Sequence, residues 1–492
     1  MAIGVSGPGT ARAAFWRAIA LGSDSDLLRL AAVAGGLAWA FAFPLLGVAY
    51  ALQTFGDGAL FSYAVAARDA WAFHWHNISG RLFVFLVVSL PAQTYGGLTG
   101  DPQAAVALYG SLYFAAPLAG LVVTFAIDRR EGRQFFVLAC ASTACLCPLV
   151  FGSPTEMWVA HAVFWPALAA AHCARRGYLG LLLVFALMLA LVFTHEGALL
   201  LAGTIVVSLL PRGLRDADFR RGSAAFLIAL SAWVAVKLAF PPDPYIAEVL
   251  MRLAFGVFDL SILDGDLLRL IGCSLAGYAL AAYLLSRLKV AKAADCALAL
   301  AIAILAAHWL WFDQSLHADN RYYLRTIVIV ATPLFGLAAA RRALGKTSDR
   351  LMLPRSLARL IGAVPARAML GLLVILTLIH AVEAAKFISA WTSYREAVRT
   401  LAASSASDPA LGDPRFVSSD RIDADARLGW ASTTPFLSVL VTRDLAPAHI
   451  VVAPDANFFW ISCETATANA QSARALPAAT RDMLRAYSCL HR

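Results

Sequence analysis

Long apolar runs recur along this chain of 492 residues, and short loops rich in arginine separate them. Each run reaches or approaches the roughly twenty residues that cross a hydrocarbon core. Hydrophobic residues make up 60% of the chain and charged residues only 14%, more apolar surface than a soluble core can bury. The sequence therefore predicts an α-helical polytopic membrane protein with about eleven transmembrane helices, at 28–52, 103–127, 134–152, 157–174, 178–193, 197–210, 223–240, 268–286, 294–311, 326–340 and 368–387.

The stretch 82–97 is apolar, but it is short and contains Pro91, so we interpret it as an interfacial segment that does not cross. With that assignment, 22 of the 40 basic residues fall on one side of the membrane and only seven in the opposite loops. Cytoplasmic loops carry such an excess of Lys and Arg. The N-terminus is therefore predicted to be cytoplasmic, and the first loop and the C-terminal tail extracytoplasmic.

The predicted domains are a cytoplasmic segment 1–27, a transmembrane domain 28–387 with a long first periplasmic loop 53–102, and a periplasmic domain 388–492. The last of these has two β-like runs, RFVSS and HIVVAP, and helix-like runs around Trp391–Leu401 and Ala478–Cys489, which indicate a small α/β domain. The first run has no cleavage site after it, so we expect it to remain as an anchor.

The net charge of +9 lies in the loops between apolar runs and reports orientation, so nucleic acid is not an expected partner. Six cysteines lie in or beside apolar runs, where a thiol packs as a small hydrophobe. Cys463 and Cys489 lie in the tail, where an extracytoplasmic location permits a disulfide but does not require one.

Asp57 is the first candidate catalytic residue. It follows the first apolar run, in the sequence YALQTFGDGALF, between two glycines that permit a tight turn. A carboxylate there can take the proton of an acceptor hydroxyl as a general base. The alternative, that Gly-Asp-Gly is only a turn, stays open.

Three further ionisable residues interrupt apolar sequence at predicted extracytoplasmic positions, where such groups are functional candidates. Glu156 lies in GSPTEMWVAH, a pattern that also fits a helix start. His195 and Glu196 break one long run at LALVFTHEGALLL. Adjacent residues point in different directions and make no metal site alone, so we favour a turn that faces substrate.

Arg321 and Arg325 are predicted outside the membrane, at HADNRYYLRTIVIV, against the positive-inside trend. Arginine gives bidentate hydrogen bonds to phosphate, which predicts a phosphate site at this interface. Tyr322 lies between them and is either a part of that site or an interfacial aromatic. The run 58–75 is amphipathic and predicts a helix on the membrane surface, anchored by Trp71 and Trp75.

The order of these parts resembles the GT-C superfamily of polyprenyl-phosphate-dependent glycosyltransferases, and within it the bacterial protein mannosyltransferase-like and aminoarabinose transferase-like branch. The shared parts are a first span followed by an early acid, juxtamembrane helices, a span that ends in the basic turn DRREGR, the broken pair at FTHEGA, and the Arg-Tyr pair of NRYYL. The resemblance covers roughly residues 25–390. The acidic pair and the lysine that are frequent in that family are replaced here by Asp57-Gly58 and His195-Glu196.

The resemblance implies an inverting transferase in a bacterial inner membrane, with a polyprenyl-phosphate-linked sugar as donor and a lipid, glycan or protein as acceptor. It implies that Asp57 is the catalytic base and that Arg321, with Arg325 and Tyr322, binds the lipid-linked phosphate. Glu156, His195 and Glu196 would line the substrate cavity. The need for a divalent cation stays open, and no other cofactor is implied.

Two other functions are compatible with the sequence. A transporter or flippase of a lipid-linked or small solute would use broken helices, although no second copy of the broken pair is visible. A surface-polysaccharide polymerase or ligase would use similar lipid-phosphate chemistry, but with its long loop later in the chain.

Overall fold

The computed structural model describes most of the first half of the chain and parts of the second half. The described residues are 23–71, 78–151, 156–175, 177–240, 251, 277, 280–281, 283–290, 296–297, 300, 325–344, 366–404, 411, 413–423, 426–428, 431–453 and 475–488. The predicted spans 268–286 and 294–311 therefore lie mostly outside the described residues, and Cys463 and Cys489 lie wholly outside them.

The described part is mostly helical, with one small sheet. The helices are α1 (Asp24–Ala49), α2 (Asp57–Ala66), α3 (Ser79–Thr99), α4 (Pro102–Phe114), α5 (Ala116–Ile127), α6 (Gln134–Leu146), α7 (Glu156–Cys173), α8 (Tyr178–Val192), α9 (Ala198–Leu209), α10 (Ala217–Ala239), α11 (Arg325–Leu344) and α12 (Ala366–Ala403). After them come β1 (Phe416–Ser418), α13 (Thr434–Leu440), β2 (Ile450–Val452) and α14 (Ala478–Ser488).

Four helices of the described part, α1, α3, α10 and α12, are long and apolar enough to cross a membrane, and α4 with α5 forms a fifth candidate bent by 41°. The shorter helices α6, α8 and α9 are apolar as well. Each predicted span inside the described residues coincides with one of these helices, with the α4–α5 pair, or with α7 or α11. The total of about eleven crossings stays a prediction.

Two expectations about the first loop differ from the structure. Helix α3 is 21 residues long, so the stretch 82–97 is not too short to cross, and its interfacial position now rests on the charge pattern alone. Helix α2 does not present one apolar face to a membrane surface, because all ten of its residues are buried within the protein. The run 58–75 looked amphipathic because polar residues interrupt it, but within α2 the polar Ser62 and Tyr63 are buried in protein.

The helices pack around a core in which α1 lies against α6 and α12, and α7 against α5. Trp158 of α7 is enclosed by aromatic rings from α1 and α4, with centroids 4.2 Å from Phe43 and 5.6 Å from Phe114. The indole N–H of Trp391 in α12 donates to the carbonyl of Tyr50, which follows α1, at 3.0 Å. These contacts join α1, α4, α7 and α12 at the end of the bundle where α2 lies, which we call the α2 end.

The opposite end of the bundle is rich in arginine. Arg130 donates to the carbonyls of His172 at 2.5 Å and of Ala343 at 3.2 Å, so it joins the ends of α7 and α11. Asp218, in the first turn of α10, forms ion pairs with Arg212 and Arg221. This separation of a basic end from the α2 end agrees with the charge distribution of the predicted cytoplasmic loops.

The small sheet belongs to the C-terminal part. Strands β1 and β2 pair in parallel, with Phe416 opposite Ile450, and α13 lies between them in sequence and packs on β2. Parallel strands need a crossover connection, which α13 supplies. The predicted β-like runs and the helix at 478–489 are thus present, and the predicted helix around Trp391–Leu401 is the end of α12.

The C-terminal part rests on the α2 end. The ring of Tyr63 in α2 meets the ring of Phe436 in α13 at 4.9 Å, and the hydroxyls of Tyr394 and Thr434 are 2.9 Å apart. The side-chain amide of Gln103, at the start of α4, donates to the carbonyls of Leu440 and Thr442. Helix α12 runs without interruption for 38 residues from the bundle into this contact, across the predicted domain boundary at 388.

Candidate functional site

A network of buried ion pairs lies at the α2 end. One guanidinium nitrogen of Arg81 is 3.0 Å from Glu156, and the other is 3.2 Å from Glu196. The ammonium of Lys237 is 3.2 Å from the second oxygen of Glu196. These four side chains are at most 12% exposed, so the network joins four separate segments inside the protein.

Local structure explains how the four segments deliver these groups. Glu156 opens α7, where the helix dipole stabilises a carboxylate, and Lys237 lies in the last turn of α10, where the dipole stabilises a cation. Glu196 lies in the turn between α8 and α9. The backbone N–H of Phe83 donates to the carbonyl of Phe193 at 3.1 Å, which fixes the start of α3 against that turn.

The charge of Glu196 depends on its neighbours. Burial alone would raise its pKa, but the surrounding cations, Arg81 foremost, hold the pKa of this carboxyl well below its usual range. His195 contacts it, with Nδ1 3.8 Å from the carboxylate, and the same nitrogen accepts a hydrogen bond from the Gly197 N–H at 2.9 Å. The two adjacent residues therefore lie in one turn beside the ion pairs.

Asp57 is the first residue of α2 and is 8% exposed. The preceding Gly56 has φ +56°, a backbone conformation that side-chain-bearing residues rarely adopt, and it redirects the chain from α1 into α2. The expected tight turn is present, and it places the carboxylate at a buried helix N-terminus. From there Asp57 is within electrostatic range of Tyr109 and Tyr113 in α4.

A narrow cleft adjoins both Asp57's helix and the ion pairs. Its walls come from α2, α3, α4 and α7, and they include Phe61, Arg81, Phe85, Tyr109, Tyr113 and Glu156. The free space admits on the order of one water molecule. Its α3 wall contains a π-helical turn, Phe85–Ser89, and such turns are frequent at functional sites. The cleft therefore combines an ion pair with aromatic walls.

The structure brings together four of the seven predicted site residues. Glu156, Glu196 and His195 belong to the ion-pair network, and Asp57 begins the helix whose Phe61 lines the adjoining cleft. Arg321 and Tyr322 lie outside the described residues. Arg325 is the first described residue of α11, but its side chain is outside the description.

The sequence analysis missed Arg81, Lys237, Tyr109 and Tyr113 as site residues. A signal for the two cations was present, because both lie on the predicted extracytoplasmic side against the positive-inside trend. The same argument had selected Arg321 and Arg325. The two tyrosines carry no comparable signal, since aromatic residues are common in apolar helices near an interface.

The side chains of the network are arranged for ion pairing with one another. Among the described residues, no three His, Cys, Asp or Glu side chains converge as ligands for a metal ion. Both carboxylates of the network face a basic side chain instead. The need for a divalent cation therefore stays open, as in the sequence analysis.

Comparison with known proteins identifies no family for this chain. No family model matches the chain, and no curated protein matches it.

Proposed function

We propose that this protein is a membrane glycosyltransferase that moves a sugar from a polyprenyl-phosphate donor to a lipid, glycan or protein acceptor. The observation that carries the proposal is the cleft at the α2 end, which is lined by Arg81, Glu156 and the helix that begins at Asp57. Buried charged residues in an apolar helical protein are expensive and mark functional sites. The resemblance to GT-C enzymes supplies the chemistry.

In the proposed reaction, an acceptor hydroxyl attacks the anomeric carbon of the sugar and the bond to the phosphate oxygen breaks, with inversion. Asp57 takes the proton of the hydroxyl, and the polyprenyl phosphate leaves as an anion. A cation at the phosphate would stabilise the negative charge that develops there. The sequence assigns this phosphate-binding role to Arg321, with Arg325 and Tyr322.

The proposed setting is a bacterial inner membrane crossed about eleven times, in a GT-C-like fold. The N-terminus is cytoplasmic, and the α2 end with the C-terminal domain is periplasmic. The arginine contacts at the opposite end support this orientation, because Arg130, Arg212 and Arg221 all lie there. The bilayer, the lipid-linked donor and the acceptor are the partners, and no nucleic acid is among them.

A transporter or flippase is the second candidate, and the ion-pair network is the observation in its favour. Chains of buried acids and cations also line substrate and proton pathways in transporters. The two functions differ in their product: a flippase leaves the bond between sugar and phosphate intact, whereas a transferase breaks it.

The test uses membranes that contain wild type, Asp57→Asn or Asp101→Asn at equal expression, incubated with radiolabelled polyprenyl-phosphate sugars and a total lipid and glycan extract. Wild type is expected to move label off the carrier, and Asp57→Asn to do so about 10²- to 10⁴-fold more slowly, as expected for loss of a general base. Asp101 caps α4 through the Ala104 N–H, and Asn caps equally well, so this control is expected to keep full activity.

Equal transfer by wild type and Asp57→Asn would remove Asp57 from the mechanism. Movement of the intact lipid-linked sugar across vesicle membranes, with its bond to phosphate preserved, would favour the flippase instead.

A further inference from the structure

Tyr113 differs from the other polar residues of the cleft. It lines the cleft and is 1% exposed, yet its hydroxyl is buried and has no hydrogen-bond partner in the described part of the protein. Leaving a buried hydroxyl unpaired costs about 1–3 kcal/mol. Buried polar groups normally find a partner, so an orphaned hydroxyl at a cleft indicates a group that is supplied from outside the chain.

The surroundings of this hydroxyl define the ligand. Tyr109, one turn before Tyr113, stacks near it with ring centroids 5.4 Å apart, and Phe61 and Phe85 form the other aromatic walls. Arg81 and Glu156 add donors and acceptors at the same cleft. Aromatic faces beside paired donors and acceptors suit a saccharide ring, which has apolar C–H faces and a rim of hydroxyls.

A second feature concerns the wall opposite α4. The wall contains the π-helical turn Phe85–Ser89, and both end residues of this turn line the cleft. It is the one π-helical turn among the described helices. Because π-helical turns are frequent at functional sites, its position supports a binding role for this wall.

We propose that Tyr113 recognises a hydroxyl of the sugar ring in this cleft, with the ring held against the aromatic walls beside the Arg81–Glu156 pair. The assignment rests on the proposed transferase and names a specificity-determining residue for it. Because the cleft admits about one water in this structure, binding of the sugar requires α3 and α4 to move apart.

The experiment measures binding and stability of wild type, Tyr113→Phe and the control Tyr178→Phe in lipid nanodiscs. Tyr178 is 77% exposed at the start of α8, so its hydroxyl is not part of the cleft. The probes are a polyprenyl-phosphate hexose, its forms that each lack one ring hydroxyl, and bare polyprenyl phosphate. Ligand-induced stabilisation gives the affinity for each probe.

Tyr113→Phe is expected to bind the hexose lipid about three- to tenfold more weakly, the effect of one neutral hydrogen bond. It is expected to bind one of the deoxy forms, and bare polyprenyl phosphate, as tightly as wild type does. Its melting temperature without ligand is expected to equal or exceed that of wild type, because the substitution removes an unpaired buried hydroxyl. A residue with only a structural role would lower stability and weaken all probes together.

Unchanged affinity of Tyr113→Phe for every probe, while wild-type membranes still transfer label, would overturn this assignment and leave the transferase standing. Equal losses for the hexose lipid and for bare polyprenyl phosphate would also overturn it. Failure of wild type to bind any sugar-bearing lipid would overturn both the assignment and the proposed function.

Discussion

Arg81 lies 3.0 Å from Glu156, although one residue opens α3 and the other opens α7. The same guanidinium reaches Glu196 in the turn between α8 and α9. One side chain therefore holds three segments together at the wall of the cleft. Removing this side chain would take the Arg81 partner from the buried Glu156, whereas Glu196 would keep its ion pair with Lys237.

Arg81→Gln is therefore expected to destabilise the protein by about 3–5 kcal/mol, the usual cost of breaking a buried ion pair from one side. The double variant Arg81→Gln with Glu156→Gln is expected to recover part of that loss. Thermal unfolding in detergent measures both. Arg399→Ala, which breaks an exposed pair with Glu396 on α12, is the control and is expected to leave the melting temperature unchanged. A shift no larger than that of the control would show that the Arg81 network does not hold the fold.

Gly80 lies against Lys237. A Cβ at position 80 would lie 2.6 Å from the Lys237 Cε and 3.2 Å from the nearer oxygen of Glu196, so Gly80→Ala is expected to displace the lysine from that carboxylate. The cost is expected to disappear in a Lys237→Ala background, because residues in contact give non-additive effects. A double-mutant cycle on melting temperature measures the coupling. Purely additive effects would contradict the contact.

The stability of the protein is expected to fall in acid through Glu196. Since the folded state holds the pKa of this carboxyl below its usual range, the unfolded chain takes up the proton first. The stabilisation is complete above the ordinary glutamate pKa of about 4.3 and is lost progressively as the pH falls below it. Glu196→Gln is expected to flatten this part of a plot of melting temperature against pH. An unchanged acid limb in the variant would assign the loss to other carboxylates.

The contact between Tyr63 and Phe436 joins α2 to the C-terminal part. Phe436→Ala removes that ring and is expected to destabilise by about 3–5 kcal/mol if the docked domain unfolds with the bundle. Limited proteolysis is expected to cleave the segment after α12 faster than in wild type, and label transfer is expected to fall, since α2 carries Asp57. The control is Phe41→Ala, whose ring is 53% exposed on α1. Faster cleavage with undiminished label transfer would show that the docking of the C-terminal part on α2 is not needed for activity.

The sequence predicted the elements that apolar pattern determines. Helices α1 and α6–α10 begin and end within a few residues of the predicted bounds, except that α6 ends six residues early at Leu146 and α10 begins six residues early with Asp216 as its cap. The strands follow the short β-branched runs, Phe416–Ser418 and Ile450–Val452. Hydrophobic periodicity indicates which face of a helix or strand is buried away from water.

Periodicity does not report whether lipid or protein removes that face from water, and α2 was assigned wrongly for this reason. The ion pairs are a different case. The sequence alone identifies three acids as candidate site residues, because each interrupts apolar sequence: Asp57, Glu156 and Glu196. Their pairing with Arg81 and Lys237 depends on which helix ends meet in space, and no local pattern encodes this.

The unbroken course of α12 has a mechanical consequence. Its 38 residues span about 57 Å at 1.5 Å per residue, whereas a hydrocarbon layer is about 30 Å thick, so close to half of the rod would project beyond a layer that it crosses. No proline interrupts it between Ala366 and Ala403. In the proposed membrane setting such a rod would act as a lever: a change in its tilt, of the kind that bilayer thickness imposes, would move the far tip by several ångströms. The thickness of the surrounding lipid would then be coupled to the position of α13 and, through Tyr63, to the helix that begins at Asp57.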